Sequence, residues 1–173
     1  DRPVIIMMFG GSFIGGSRTS PDIVELCTRY AKMGYVAVAI DYRLTLDLLI
    51  FANETTAYQA AAKGIHDLKS AIRFLRMNNE IYNDYRIDTD RIYAGGVSAG
   101  GISAVNAAYL NLDSEVPTFI QDWMEDNGGL EGNSGNEGYD SSFHGIINLC
   151  GAVGQPDQEY AADDLPRNSA GHL

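Results

Sequence analysis

A serine between glycines stands at positions 96–100, which read G-V-S-A-G. An apolar run ending at Val97 precedes Ser98, and a stretch of small residues, 99–110, follows it. This order predicts a strand, a tight turn and a helix, the arrangement that exposes a nucleophilic serine hydroxyl. Glycines two residues to either side let the neighbouring backbone pass where a Cβ atom would collide. The first amides of the following helix would then face developing negative charge.

A second glycine-rich segment, residues 10–17, indicates the same kind of chemistry as the turn at Ser98. Residues 4–9 form an apolar run too short for a typical helix, as expected of a strand buried on both faces. The run leads directly into residues 10–17, which read G-G-S-F-I-G-G-S. A strand that ends in consecutive glycines exposes backbone N–H groups, the donors that an acyl-transfer enzyme needs for its oxyanion. The alternative is a flexible connecting loop without a chemical role.

Together these motifs resemble the α/β-hydrolase fold, in the carboxylesterase and lipase branch related to hormone-sensitive lipase. That branch carries H-G-G-G-F-x-x-G-S, and residues 9–17 are similar to it, with Phe9 in place of the histidine and Ser12 in place of the third glycine. Residues 41–44, D-Y-R-L, resemble a further family motif. Residues 87–101 resemble its I-D-P-x-R-I and G-x-S-A-G-G motifs. The resemblance spans about residues 3–110.

The resemblance implies a carboxylic ester hydrolase in which Ser98 attacks the ester carbonyl, an acyl-enzyme forms and water releases the acid. It implies an oxyanion hole made by backbone amides of Gly10, Gly11, Ser12 and Ala99. Apolar side chains near the serine favour an acyl or aromatic group over a charged one in a small-molecule ester substrate. These predicted substrate-pocket residues are Phe9, Phe13 and Ile14.

The predicted elements alternate along the chain, which indicates parallel βαβ units. Strands are predicted at 4–9, 35–40, 91–97 and 145–149, and helices at 21–33, 55–79 and 99–110. The predicted fold class is α/β, a three-layer α/β/α sandwich with a mostly parallel sheet. Hydrolase topology implies the strand order second, first, third, fourth.

The whole chain, 1–173, is expected to be a single but partial hydrolase domain, truncated at both ends. Within it, residues 112–143 are predicted to be a glycine- and asparagine-rich insertion or cap-like loop. Phe119, Trp123 and Met124 in this segment could form a substrate wall or one helical turn packed on the core.

A serine hydrolase of this order needs an acid and a histidine after the serine. His66 is predicted to be a surface or boundary residue, and His144 a structural one. His172 is free enough to approach Ser98, but a chain terminus orients a general base poorly. Asp163 and Asp164 are weak candidates for the acid. This fragment is therefore expected to be inactive, although its parent protein would be a hydrolase.

The amino-acid composition and net charge argue against some classes of function. The chain has 45% hydrophobic and 20% charged residues, which predicts a soluble globular protein, and no apolar run is long enough to span a bilayer. A formal net charge of −11 opposes nucleic-acid binding and suits a secreted or periplasmic protein without identifying the compartment. The residue spacings predict no metal site and no cofactor. Cys27 and Cys150 are expected to be free and buried.

Several polar residues have local explanations that we prefer to chemical ones. Asn53 fits a glycosylation sequon, but we predict a turn leading into a helix. Asp41 and Arg43 are predicted to make structural ion pairs or hydrogen bonds. Asp67 is expected to pair with a neighbouring lysine.

Two alternatives to an ester hydrolase remain at this stage. One is a polyester or peptide hydrolase on the same fold. The other is a non-catalytic interaction domain that retains the hydrolase frame. A four-stranded sheet taken from a larger one would also expose its edges, which a second copy or the missing part of the parent chain would cover.

Overall fold

The computed structural model describes residues 1–49 and 52–152. These residues form a parallel sheet with helices on both faces. The strands are β1 (Arg2–Met8), β2 (Val36–Ile40), β3 (Ile87–Val97) and β4 (Gly145–Leu149). The helices are α1 (Pro21–Lys32), α2 (Glu54–Ile81), α3 (Ala99–Tyr109) and α4 (Thr118–Asp126). No helix in these two ranges has both the length and the hydropathy to cross a membrane.

The strand order is β2-β1-β3-β4 and all pairs are parallel, which confirms the predicted fold class and order. From β1 to β2 the chain moves across the sheet towards one edge, and from β2 to β3 it moves towards the other edge. Right-handed crossovers therefore place α1 on one face and α2 and α3 on the other. Strand β3 begins earlier than predicted, because Ile87 pairs with Arg2 before a register shift leads to the pairing of Val4 with Ile92.

The core lies on both faces of β1, whose residues Val4 to Met8 are almost inaccessible to solvent. Helices cover both faces of a parallel sheet, so its central strands need apolar side chains in every position. Helix α2 contributes Ile65, Leu68, Ile72 and Leu75 at three- and four-residue steps, as the sequence predicted.

Helix α4 lies within the segment that was predicted as an insertion or cap-like loop. Its Ile120 and Met124 are buried with Val116 and with Ala62 of α2, in a second and smaller hydrophobic cluster. The ring of Phe119 meets Tyr58 of α2 edge to face, with centroids 5.3 Å apart. Helix α4 is thus packed directly against α2.

A polar segment, residues 128–142, runs across α2; we call it the strap. Lys69 and Arg73 of α2 are nearly fully buried and form ion pairs with Glu131 of the strap, at N–O distances of 2.8 and 3.2 Å. Arg73 also donates to the carbonyls of Glu131 and Gly135. Ser70 donates to the carbonyl of Ser134 over 2.6 Å. Side chains of α2 therefore donate hydrogen bonds to several backbone carbonyls of the strap.

His66 was predicted at the surface, and this was wrong. Its Nε2 donates to the carbonyl of Gly129 over 2.8 Å, and its ring stacks on Trp123 of α4. Because the strap and α4 cover it, only 1% of the residue is exposed. Burial lowers the pKa of His66, since the charged imidazolium loses its hydration.

Some of the predicted ion pairs and hydrogen bonds are present, and one has a different partner. Asn53 caps α2 by accepting from the Thr56 amide, as expected of a turn leading into a helix. Asp41 pairs with Arg18. Asp67 pairs with Arg43 at 2.9 Å and not with a lysine, because the chain after β2 brings Arg43 beside α2.

Both cysteines are free, as predicted, but neither is fully buried. Cys27 is half-buried, whereas Cys150 is exposed because the chain turns there, at φ 61°, immediately after β4.

Candidate active site

Ser98 connects the carboxyl end of β3 to the first turn of α3. Its backbone has φ 50° and ψ −113°, a conformation that an L-residue adopts only when the surrounding structure imposes it. The Ser98 amide donates to the carbonyl of Leu149 over 2.8 Å, and its carbonyl accepts from Ile102 at the same distance. Strand β4 and helix α3 therefore hold both main-chain groups of this serine.

The two glycines that flank Ser98 allow three backbones to meet. A Cβ atom on Gly96 would overlap the carbonyl carbon of Gly100 and lie 2.7 Å from the carbonyl oxygen of Met8. A Cβ atom on Gly100 would overlap the same Met8 carbonyl group. Helix α3 can therefore begin directly against β1 and β3, which is what makes the turn at Ser98 so tight.

The glycine-rich turn after β1 lies beside Ser98. A Cβ atom on Gly10 would lie 3.3 Å from the Cβ atom of Ser98. The turn closes on the carbonyl of Gly11, which accepts from the amides of Ile14 and Gly15 over 3.0 and 3.1 Å. The following residue, Ser12, has φ 53°. The structure thus brings the residues predicted for the oxyanion hole next to the predicted nucleophile.

Tyr42 contacts Phe9 and so helps to hold the turn after β1 in place. Its hydroxyl donates to the carbonyl of Phe9 over 2.9 Å, and its ring stacks on that of Phe9 with centroids 4.3 Å apart. Burial of the ring raises the pKa of Tyr42 to about 12. The sequence placed Tyr42 in the D-Y-R-L motif without assigning it this role. Its position immediately after β2, beside the end of β1, is the signal that could have identified it.

A cavity of about 500 Å³ opens at Ser98 and Ser12. Its wall is mostly apolar and is built by α2, α3, α4 and the turn after β1. The lining residues are Ser12, Phe13, Ala57, Tyr58, Ala61, Ala62, Ile65, Ser98, Ala99, Ile102, Asn106, Tyr109, Leu110, Glu115, Val116, Pro117, Ile120, Met124 and Ala152.

The three predicted substrate-pocket residues have different positions. Phe13 lines the cavity. The ring of Phe9 is 99% buried in the core instead, because the turn folds back over it: a Cβ atom on Gly16 would lie 2.5 Å from that ring. Ile14 is half-buried and lies outside the cavity wall.

Glu115 is the single charged residue among the described residues of the cavity wall. Its Oε2 accepts from the amides of Asn111 and Leu112 over 2.8 and 3.0 Å. These two hydrogen bonds hold the pKa of Glu115 below its usual value. Sequence reasoning missed this residue, because it lies in a short polar connection without a motif.

The described histidines are engaged away from Ser98. His144 lies at the start of β4, where its amide donates to the carbonyl of Ile92 over 2.7 Å and its Nδ1 accepts from the Ile92 amide. It is a structural residue, as predicted, and His66 is held by the strap. His172, Asp163 and Asp164 lie outside the described residues. Within the described ranges, no group of three or more histidine, cysteine or acidic residues is arranged to hold a metal ion.

Comparison with known proteins connects this geometry with esterases. The chain is 31% identical to gut esterase 1 of Caenorhabditis briggsae over 101 residues, which are 58% of this chain and 17% of that protein. Gut esterase 1 of Caenorhabditis elegans is 29% identical over 101 residues, with the same coverage. The chain therefore spans about a sixth of the length of these curated relatives.

Solved structures show the same fold. A butyrate-bound esterase, Est2 of the planctomycete Thermogutta terrifontis, superimposes with a TM-score of 0.64 at 26% identity, over 96% of this chain and 48% of that one. The same enzyme phosphorylated by paraoxon gives a TM-score of 0.58 at 26% identity, over 86% and 46%. The chain spans less than half of each of these two structures. The model of the BD-FAE family matches residues 1–154. By this match and by its fold, the chain belongs to the BD-FAE family of α/β-hydrolases.

Proposed function

We propose that the protein is a carboxylic ester hydrolase in which Ser98 is the nucleophile. The observation that carries the proposal is the backbone of Ser98, held at φ 50° between β3 and α3 and facing an apolar cavity. Such a conformation costs about 1–3 kcal/mol, and residues held in it cluster at active sites and ligand-binding sites. Similarity to proteins named as esterases supports the same reaction class.

In the proposed reaction, Ser98 Oγ attacks the ester carbonyl and gives its proton to a general base. The carbonyl oxygen becomes an oxyanion between the amide of Ala99 and those of Gly11 and Ser12. The first N–H groups of α3 have no acceptor within the helix, so they are available to this oxyanion, and the helix dipole adds to their effect. Loss of the alcohol leaves an acyl-enzyme, which water hydrolyses. The base comes from outside the described residues.

The cavity favours an uncharged, apolar group next to the ester. Phe13, Ile102 and Ile120 are among its lining side chains, and the wall near Ser98 carries hydroxyl groups but no charge. Burial of an aliphatic or aromatic group here removes apolar surface from water, at about 25 cal/mol per Å². The carboxylate found with the Thermogutta terrifontis enzyme, butyrate, belongs to the class of acids that such a reaction would release.

Phosphorylation by paraoxon tests the role of Ser98. We expect one diethyl phosphoryl group to be added, with fragmentation mass spectrometry locating it on Ser98 and not on Ser12, the other serine of the cavity wall. The Ser98→Ala variant should stay unlabelled. The urea-unfolded chain is the matched control, because its serines lack any activating environment. Labelling no faster than in that control would contradict the proposal and favour a non-catalytic interaction domain.

Turnover of a 4-nitrophenyl ester is the second measurement. A phosphorylated Ser98 with steady hydrolysis would mean that a base is supplied. A phosphorylated Ser98 without hydrolysis would mean that this chain carries the nucleophile while the base belongs to another segment.

A further inference from the structure

Residues from both ends of helix α3 line the cavity. The α3 residues in its wall are spaced by three or four positions and so lie on one face of the helix. They are Ala99, Ile102, Asn106 and Tyr109, and Leu110 follows directly after the helix. A helix rises about 1.5 Å per residue, so this face is about 16 Å long. We call the cavity the α3 groove; Ser98 lies at one end and Glu115 at the other.

The sides of the α3 groove are apolar. Helix α2 presents Ala57, Ala61 and Ala62, whose short side chains leave room beside α3. Ile120 of α4 and Val116, just before α4, add further apolar side chains to the lining. An unbranched aliphatic chain fits a groove of this shape. Because each C–C bond of about 1.5 Å advances an extended zigzag chain by about 1.25 Å, a chain that spans the groove has about thirteen carbon atoms.

The far end of the groove differs from the rest because it is negative. Glu115 lies just after α3, where the helix dipole is also negative. Both hydrogen bonds from Asn111 and Leu112 go to Oε2, and within the described residues Oε1 accepts none. Tyr109, whose aromatic face can attract a cation, lines the same end.

We propose that Glu115 is a specificity-determining residue, which selects unbranched esters whose far end carries an ammonium group over those whose far end carries a carboxylate. This inference rests on the proposed function only in placing the ester group at Ser98. An ammonium at the far end would meet the free Oε1 of Glu115, whereas a carboxylate would meet like charge with no cationic side chain in the described wall.

Binding without turnover tests the inference. The ligands are three unbranched methyl ketones of about thirteen carbon atoms, which end in an ammonium, a methyl or a carboxylate group. Their carbonyl takes the place of the ester, and the Ser98→Ala variant prevents any covalent reaction. We expect the ammonium ketone to bind more tightly than the carboxylate ketone. In Ser98→Ala/Glu115→Gln this ratio of Kd values should shrink about two- to fivefold, as for an exposed ion pair.

A glutamine at position 115 keeps a side-chain oxygen that can accept from the amides of Asn111 and Leu112, so the variant retains the local fold. Asp122→Asn is the matched control: it removes one exposed carboxylate from α4 outside the groove wall and should leave the ratio unchanged. Added salt should also reduce the ratio in the Ser98→Ala protein itself, because salt screens exposed charges. That measurement does not depend on how the Glu115→Gln variant folds.

Equal binding of the two charged ketones, or no binding of any ketone, would overturn the inference. A ratio that is insensitive to both Glu115→Gln and salt would also overturn it. The proposed function fails separately, if Ser98 reacts with neither paraoxon nor ester while ketone binding still depends on Glu115.

Discussion

At the scale of single residues, Tyr42 shows how an aromatic side chain can position a turn that it does not belong to. The Tyr42→Phe variant keeps the stacking on Phe9 but loses the hydrogen bond to the Phe9 carbonyl. We expect the free energy of unfolding to fall by about 1 kcal/mol, since a buried carbonyl loses its donor. Urea denaturation measures this. Tyr82→Phe, at a tyrosine that is 65% exposed, should be neutral.

The same residue makes a prediction about pH. The pKa of Tyr42 is about 12 in the folded protein, against 10 for an ordinary tyrosine, so ionisation favours the unfolded chain. Its contribution to stability is complete below pH 10 and is lost as the pH rises towards 12, by up to about 3 kcal/mol. Urea midpoints measured from about pH 9 to pH 11 should therefore fall more steeply for the wild type than for Tyr42→Phe. Parallel curves would contradict this assignment.

Residue roles could be predicted where they depend on neighbours in sequence. The tight turn at Ser98 was predicted from its flanking glycines, and the turn at Asn53 from its place before a helix. His66 could not be identified in this way, because its burial depends on Gly129 and Trp123, about sixty positions away. Phe9 was misplaced for a related reason: an apolar residue next to a site can pack inward as easily as it can line a pocket.

Between elements, Gly64 controls how closely α2 approaches α3. A Cβ atom at this position would overlap Oγ of Ser103 and lie 3.5 Å from the ring of Phe13. Alanine favours a helix over glycine by about 1 kcal/mol, but overpacking costs about 1–3 kcal/mol. We therefore expect Gly64→Ala to lower the free energy of unfolding in urea.

The double variant Gly64→Ala/Ser103→Ala is the control, because it removes the clashing hydroxyl. Relative to Ser103→Ala alone, adding the alanine should then cost less than it does in the wild type. An equal cost in both backgrounds would mean that some other contact determines the effect.

The strap depends on Glu131, the carboxylate that lies between Lys69 and Arg73. Burial raises the pKa of Glu131, but the hydrogen bonds from Lys69 and Ser141 and the charges of Lys69 and Arg73 outweigh it and lower the pKa below 4.5. Because the folded value is the lower one, the stabilisation is present above pH 4.5 and is lost as the pH falls. Glu131 is 58% exposed, so screening moderates the effect.

We expect Glu131→Gln to lower the urea midpoint at neutral pH, since two nearly buried cations lose their counter-charge. The difference from the wild type should disappear in acid, below the folded pKa of Glu131. Glu137→Gln removes an exposed charge from the same strap and should have little effect. A difference between Glu131→Gln and the wild type that stays constant with pH would contradict the ion-pair explanation.

The order of strands and helices was predictable because each element has a local pattern. Strand β1 is apolar at every position from Val4 to Met8, and α2 repeats its apolar residues with helical spacing. The strap and α4 were harder, because a glycine-rich polar segment has no periodicity. Its structure comes from α2, with which it shares hydrogen bonds over about sixty residues of sequence. The α3 groove was missed because α2, α3, α4 and the turn after β1, which are separate in sequence, form it together.

At the scale of the whole molecule, the sheet has two edges in the described part of the chain, at β2 and β4. An edge strand carries unpaired backbone groups that can pair with another chain. We propose that a second copy or another segment of the parent protein covers these edges. Sedimentation velocity of this chain alone should show self-association that grows with protein concentration.

Cys150→Ser is the matched variant for that experiment, because an exposed thiol could join two copies by a disulfide. Self-association should persist in this variant and under reducing conditions. A single monomeric species at every concentration would contradict the edge explanation.

The close contacts of Gly96 and Gly100 with the backbones of β1 and α3 have an evolutionary consequence. The packing of the fold requires these glycines, whereas the role that we propose for the Ser98 hydroxyl is chemical. In a lineage in which catalysis is no longer selected, a substitution could replace Ser98 while both glycines are retained. A related protein with both glycines and another residue at position 98 would thus be one that has kept the fold and lost the proposed activity.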